Sequence, residues 1–141
     1  MRIENIELYY LSMPEILDEA DGSQDALIVR VDGGGHTGWG ECEASPLTSI
    51  ANFICPKSHS AAKPIRESII DRELNNLNDV KKISYDVKQN SLMIAQTPHT
   101  YSGIEIAILD LLGKKNQCPI FELLGYKKSI PKIAYASVLF G

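Results

Sequence analysis

Three consecutive glycines, Gly33-Gly34-Gly35, follow directly on an alternating run and fix how the first third of the chain can fold. Ahead of them Leu27, Val29 and Val31 alternate with Ile28, Arg30 and Asp32, the two-residue period of a half-buried strand. Glycine tolerates the positive φ angles of a tight turn, so Asp32–Gly35 reverses the chain and His36–Cys42 returns as a second strand. Upstream, Ile6, Leu8 and Tyr10 alternate with Glu7 and Tyr9 and predict one more strand. Ile3 is out of phase with them, which predicts an irregularity near Asn5. Strands at about 2–12, 25–32 and 36–42 make a three-stranded antiparallel meander. The glycines also match G-x-G-x-x-G, Gly33 to Gly38, but a dinucleotide-binding loop must open a helix, whereas Trp39-Gly40-Glu41-Cys42 is strand-like. The hairpin is the better account.

The remainder predicts helices. Residues 43–63 form a long loop punctuated by Pro46 and Pro56, with Ile50, Phe53 and Ile54 as an apolar group that favours order. Pro64 suits a first helical position, with Ile65, Ile69, Ile70 and Leu74 at helical spacing over about 64–75. Asn78 is a candidate N-cap for a helix over about 79–95 through Val80, Ile83, Val87 and Ile94. Ser102 and Glu105 have capping-box spacing ahead of Ala107, Ile108 and Leu111, which predicts a helix over about 102–116. Pro119 opens a short helix to about 124, ended by Gly125 as a left-handed cap. The fold class is α+β: the meander followed by a small helical bundle. Lys132–Phe140 reads as one more strand, ending without a partner at Gly141.

Composition narrows the classes. With 44 % hydrophobic and 23 % charged residues the 141-residue chain is in the globular range, about one domain long. The net charge is −4 and no block of Lys and Arg stands out, so neither nucleic acid nor an anionic membrane is an expected partner. The charged N-terminus and the lack of a long apolar run lead us to expect a cytoplasmic protein. Three cysteines without C-x-x-C spacing fit reduced thiols. Cys55 and His59, with His36 and Cys42, are loose fragments of a zinc pattern and fit buried thiols and surface histidines better. Asp18, Glu19 and Asp21 cluster in the first loop, where solvation alone accounts for them.

Two stretches go further. Thr37-Gly38-Trp39-Gly40-Glu41 resembles the GxGE-type strand of the mandelate racemase and muconate lactonizing enzyme family, within the enolase superfamily. Ser102-Gly103-Ile104-Glu105 through Leu109-Asp110-Leu111-Leu112-Gly113-Lys114, then Pro119 and Leu123-Leu124-Gly125, resembles that family's helix and LLG signature. Leu109 departs from it, since an aromatic residue is common there.

The resemblance implies an N-terminal capping domain, residues 1–131, with 132–141 as the start of a (β/α) barrel. In that family the barrel's carboxylates hold Mg²⁺ and a Lys or His removes a proton beside a substrate carboxylate. A barrel takes about 250 residues, so the resemblance assigns neither a catalytic residue nor a metal ligand to this chain and predicts that it is inactive alone. It does imply that the loops around 13–23 and 43–63 close over the barrel mouth, making Asp18, Glu19, Asp21, Glu43, Ser45, Ser49 and Phe53 candidate substrate contacts. Acidic and hydroxyl side chains suit a polyhydroxylated acid, favouring a sugar-acid dehydratase with a small carboxylate substrate held jointly with the barrel. The alternatives are the cap of a racemase or cycloisomerase, or a stand-alone binding or oligomerisation module. Exposed apolar surface predicts a homo-oligomer.

Overall fold

The computed structural model describes residues 1–15, 25–42, 45–128 and 130–134. Strands β1 (Asn5–Leu11), β2 (Ala26–Gly33) and β3 (His36–Cys42) form an antiparallel sheet in the order β1-β2-β3. Ile6 pairs with Val31 and Leu27 with Cys42, while Gly34 and Gly35 turn the β2–β3 hairpin at φ 56° and 76°. Helices α1 (Pro46–Ile54), α2 (Leu77–Asn90), α3 (Thr97–Asn116) and α4 (Ile120–Leu123) complete the α+β fold, with a 3-10 turn at Ile65–Ser68.

The sheet's alternation decides which face is covered. Ile6, Leu27, Val29, Val31 and Cys42 point inward and meet Ile104, Ala107, Ile108 and Leu111 of α3 in one core. Full burial of each Leu or Ile there contributes about 1.5–3 kcal/mol. Glu7, Tyr9, Arg30, Asp32 and Trp39 point outward, with Arg30 bonded to Glu7 at 3.2 Å and to Asp32 at 3.1 Å. The Tyr9 and Trp39 rings lie 6.1 Å apart on that open face.

The irregularity at the start of β1 has a cause. Ile3 is fully buried, and its amide donates to the Arg72 carbonyl while its own carbonyl accepts from the Asp71 amide. Met1–Ile3 thus pair with residues 71–74, and the β1 ladder begins only at Asn5.

Four predicted elements need correcting, and a fifth is described only in part. The helix over 64–75 is only the short 3-10 turn. Asp71 adopts φ 63° and the chain leaves helical geometry to pair with the N-terminus, although Ile65, Ile69 and Leu74 are buried. The second helix starts two residues before its predicted start, because Asn76 rather than Asn78 is the cap and accepts from the amides of Asn78 and Asp79. It ends at Asn90, leaving Ile94 in a following turn. Ser102 is no N-cap: α3 begins at Thr97, and the Ser102 hydroxyl donates to the His99 carbonyl within the helix at 2.7 Å. The loop over 43–63 contains α1, with Pro46 in its first turn. Residues 130–134 are not in a strand, and the rest of the predicted strand at 132–141 lies outside the described residues. Pro119 and Gly125, the latter at φ 90°, bracket α4 as predicted.

Candidate functional site

Both loops singled out in the sequence leave the sheet at the same end. β1 runs out at Leu11 and β2 returns at Ala26, its partner in the ladder. Asp25 clamps this stem: it accepts from the Tyr10 hydroxyl and from the Met13 amide at 2.7 Å. The Tyr10 hydrogen bond holds the Asp25 carboxyl below its ordinary range, and the same bond raises the Tyr10 phenol. Tyr10, Leu11 and Met13 are exposed around the stem. Asp18, Glu19 and Asp21 lie outside the described residues, as does Glu43.

The second loop is organised by α1, whose polarity is reversed relative to an ordinary surface helix. Ser49 and Asn52 face inward and are buried, whereas Leu47 and Ile54, 65 % and 64 % exposed, face outward with Ala51 on the same stripe. Buried hydroxyls and amides must be hydrogen-bonded to be tolerated, and these are. Thr100, in the first turn of α3, donates to the Ser49 hydroxyl at 3.1 Å and accepts from the Asn52 amide at 3.3 Å. Asn52 also donates to the Ala95 carbonyl. Phe53 is the one large side chain that α1 buries.

Of the predicted contacts, the structure therefore brings Ser49 and Phe53 together beneath α1, turned into the domain. Ser45 is exposed at the helix start. Asn52 and Thr100, which fix α1, were missed. The available signal was Ser49, Asn52 and Phe53 at i, i+3 and i+4 behind a Ser-Pro helix start. Beside the C-terminal end of α1 opens a groove of about 430 Å³, lined by Phe53, Ile54, Cys55, Pro56, Arg66 and Ile70 among others.

Among the described residues no three His, Cys, Asp or Glu side chains converge on a point where they could hold a metal ion. The described residues do not fit a Mg²⁺ site. Cys42 is buried, its thiol donating to the Thr100 carbonyl at 3.2 Å, and burial pushes that thiol up to about 11. Cys42, Cys55 and Cys118 are free. No helix among the described residues is long and apolar enough to cross a membrane.

The sequence profile of the mandelate racemase / muconate lactonizing enzyme N-terminal domain matches residues 17–125. A predicted mandelate racemase from Rhodobacter sphaeroides is 53 % identical, with a TM-score of 0.86 over 89 % of this chain and 32 % of that one. A putative racemase is 29 % identical, with a TM-score of 0.70 over 88 % and 31 % of the two chains. A mandelate racemase/muconate lactonizing enzyme-like protein from Rubrobacter xylanophilus DSM 9941, 23 % identical, shares the fold at a TM-score of 0.61 over 88 % and 27 %. No curated protein sequence matches the chain significantly. The chain spans about a third of the length of these solved relatives. With the profile covering most of the sequence and the meander, Gly-rich strand and α3 in their places, the chain belongs to the mandelate racemase / muconate lactonizing enzyme family, as its N-terminal domain.

Proposed function

We propose that this chain is the substrate-capping domain of a Mg²⁺-dependent enzyme that removes a proton next to a carboxylate, and that its reaction is the dehydration of a sugar acid. The observation that carries the capping role is the reversed polarity of α1. A helix that hydrogen-bonds inward and shows Leu47, Ala51 and Ile54 outward is built to be covered on its outer side. Residues 1–131 form the cap in this proposal, and from residue 132 the chain passes into a barrel that supplies the metal ligands, acids and bases. The loop carrying Asp18, Glu19 and Asp21, with Glu43 and Ser45, contacts substrate hydroxyls. Ser49 and Phe53 act from beneath by setting the position of α1. The intact enzyme is a homo-oligomer and acts in the cytoplasm.

A second reading, racemisation, is favoured by the racemase names borne by the relatives at 53 % and 29 % identity. One experiment separates them. The cap joined to its own barrel, as this proposal requires, is incubated with Mg²⁺ and a panel of sugar acids and 2-hydroxy acids in D₂O. Loss of water from a sugar acid supports the dehydratase; α-deuterium incorporation without water loss supports the racemase. A folded whole protein that does neither on any carboxylate sinks both. In the active protein Leu47→Asp with Ile54→Asp should raise KM more than it lowers kcat, because the outward stripe seats the cap.

A further inference from the structure

β3 is an edge strand of the sheet among the described residues, and an edge strand offers unpaired N–H and C=O groups to any chain that can add to it. The N–H and C=O of one residue point to the same side of a strand and those of the next residue to the other. Thr37, Trp39 and Glu41 are therefore in one set and Gly38 and Gly40 in the other. The first set is already engaged from α3. The Trp39 amide donates to the Asp110 carboxylate at 2.8 Å, and the Thr37 carbonyl accepts from the Lys114 ammonium at 2.8 Å. Asp110 and Lys114 lie one helical turn apart and bond each other at 2.7 Å, so each holds the other in place. Further along, the Glu41 carbonyl lies against Gly103, where any Cβ would crowd it.

We propose that Asp110 and Lys114 form a plug on the outer edge of β3 that denies this edge to an added strand. The two backbone groups an incoming strand would need first, one donor and one acceptor, are the two that the pair occupies. Both side chains are partly exposed, so as a surface ion pair they would contribute little to stability. Their value lies in position: an added strand must displace a charged acceptor and a charged donor before it gains a ladder bond. This assigns a task to the Asp and Lys of the Asp110-Leu111-Leu112-Gly113-Lys114 signature that the capping role leaves unexplained.

The test compares the parent chain with Asp110→Ala, Lys114→Ala and the double variant. Removing Asp110 should speed exchange of the Trp39 amide by about tenfold, the size of one lost hydrogen bond. Sedimentation velocity across a dilution series should show the double variant associating at concentrations where the parent's distribution is constant. Adding Trp39→Pro, which removes the edge donor, should abolish that association, while Trp39→Ala, which keeps it, should not. A folded double variant that sediments like the parent at every concentration overturns the proposal. So does association that survives Trp39→Pro. If the double variant does not fold, Lys114→Ala alone decides: it leaves the Asp110–Trp39 bond intact, frees the Thr37 carbonyl, and must associate more than the parent.

Discussion

Gly40 of β3 lies directly against the backbone of Gly103 in α3: a Cβ on residue 40 would overlap the Gly103 carbonyl oxygen. One turn along, Gly38 meets the Ala107 carbonyl and the Leu111 amide in the same way, and a Cβ on Gly103 would strike Cys42 and the Glu41 carbonyl. The Gly-rich strand and the Ser102-Gly103 step inside α3, far apart in sequence, are thus two sides of one backbone-to-backbone contact.

That contact predicts a contrast between glycines. Gly40→Ala or Gly103→Ala forces the helix off the sheet and should cost about 2–3 kcal/mol or more, as overpacking of a tight core does. Gly35, at φ 76° with nothing near its missing Cβ, suffers only backbone strain. Gly35→Ala should cost about 1–2 kcal/mol. Urea titrations followed by circular dichroism measure all three, and an equal cost for Gly35 and Gly40 would refute the contact's importance.

The same geometry shows what was legible beforehand. The meander could be read because alternation and the glycine turn are local signals that agree with the tertiary fold, and Gly38, Gly40 and Gly103 sit in the two stretches that revealed the family. The α1 helix was hidden because Ser49 and Asn52 face inward and Leu47 and Ile54 outward, so apolar periodicity pointed nowhere. Ser102 misled because Ser-x-x-Glu also fits the inside of a helix, where the hydroxyl can bond back to His99. The helix over 64–75 failed for a non-local reason: the apolar spacing was real, but pairing with Met1–Ile3 pulled residues 71–74 out of it.

Thr100 should control α1 separately from the rest of the domain. Thr100→Val keeps the shape but leaves the Ser49 hydroxyl and the Asn52 amide short of a buried partner. The cost should be about 1–3 kcal/mol. Hydrogen exchange locates it: amides of Ala51 to Ile54 should lose protection while those of β2 and the centre of α3 keep theirs. Leu111→Ala, in the common core, should cost about 2–5 kcal/mol and lower protection everywhere. Uniform loss of protection in Thr100→Val would show that α1 does not move independently.

Asp25 should report on the stem of the first loop. Its carboxyl is depressed first by the Tyr10 hydroxyl and then by the Met13 amide, so its contribution is present above the ordinary carboxylate pKa and fades as pH falls through the depressed value. Tyr10→Phe should raise the Asp25 pKa in an NMR titration and shift the Met13 amide resonance. An unchanged Asp25 titration would mean that the stem is held by something other than this hydrogen bond.

At high pH the core itself becomes sensitive to two buried groups. The Cys42 thiol ionises near 9.0 when solvated and at about 11 when folded, because burial disfavours the thiolate. The folded state therefore keeps the proton that the unfolded chain releases. Stability is fully present below pH 9 and falls as pH rises from 9 to 11, by at most about 1.4 kcal/mol per pH unit. Tyr101 adds to this loss above pH 10, since burial, and then the charge of Glu105, push its phenol upward. Its hydroxyl is buried with no hydrogen-bond partner among the described residues. Tyr101→Phe should thus be neutral or stabilising by up to about 1 kcal/mol at pH 7, and should flatten the decline only above pH 10. Cys42→Ala should flatten it between pH 9 and 10 despite a cost from the cavity it leaves. Urea midpoints at pH 8, 9.5 and 10.5 for the parent and both variants measure these slopes. If Cys42→Ala falls as steeply as the parent between pH 9 and 10, the thiol is not the group that α3 and the sheet keep neutral.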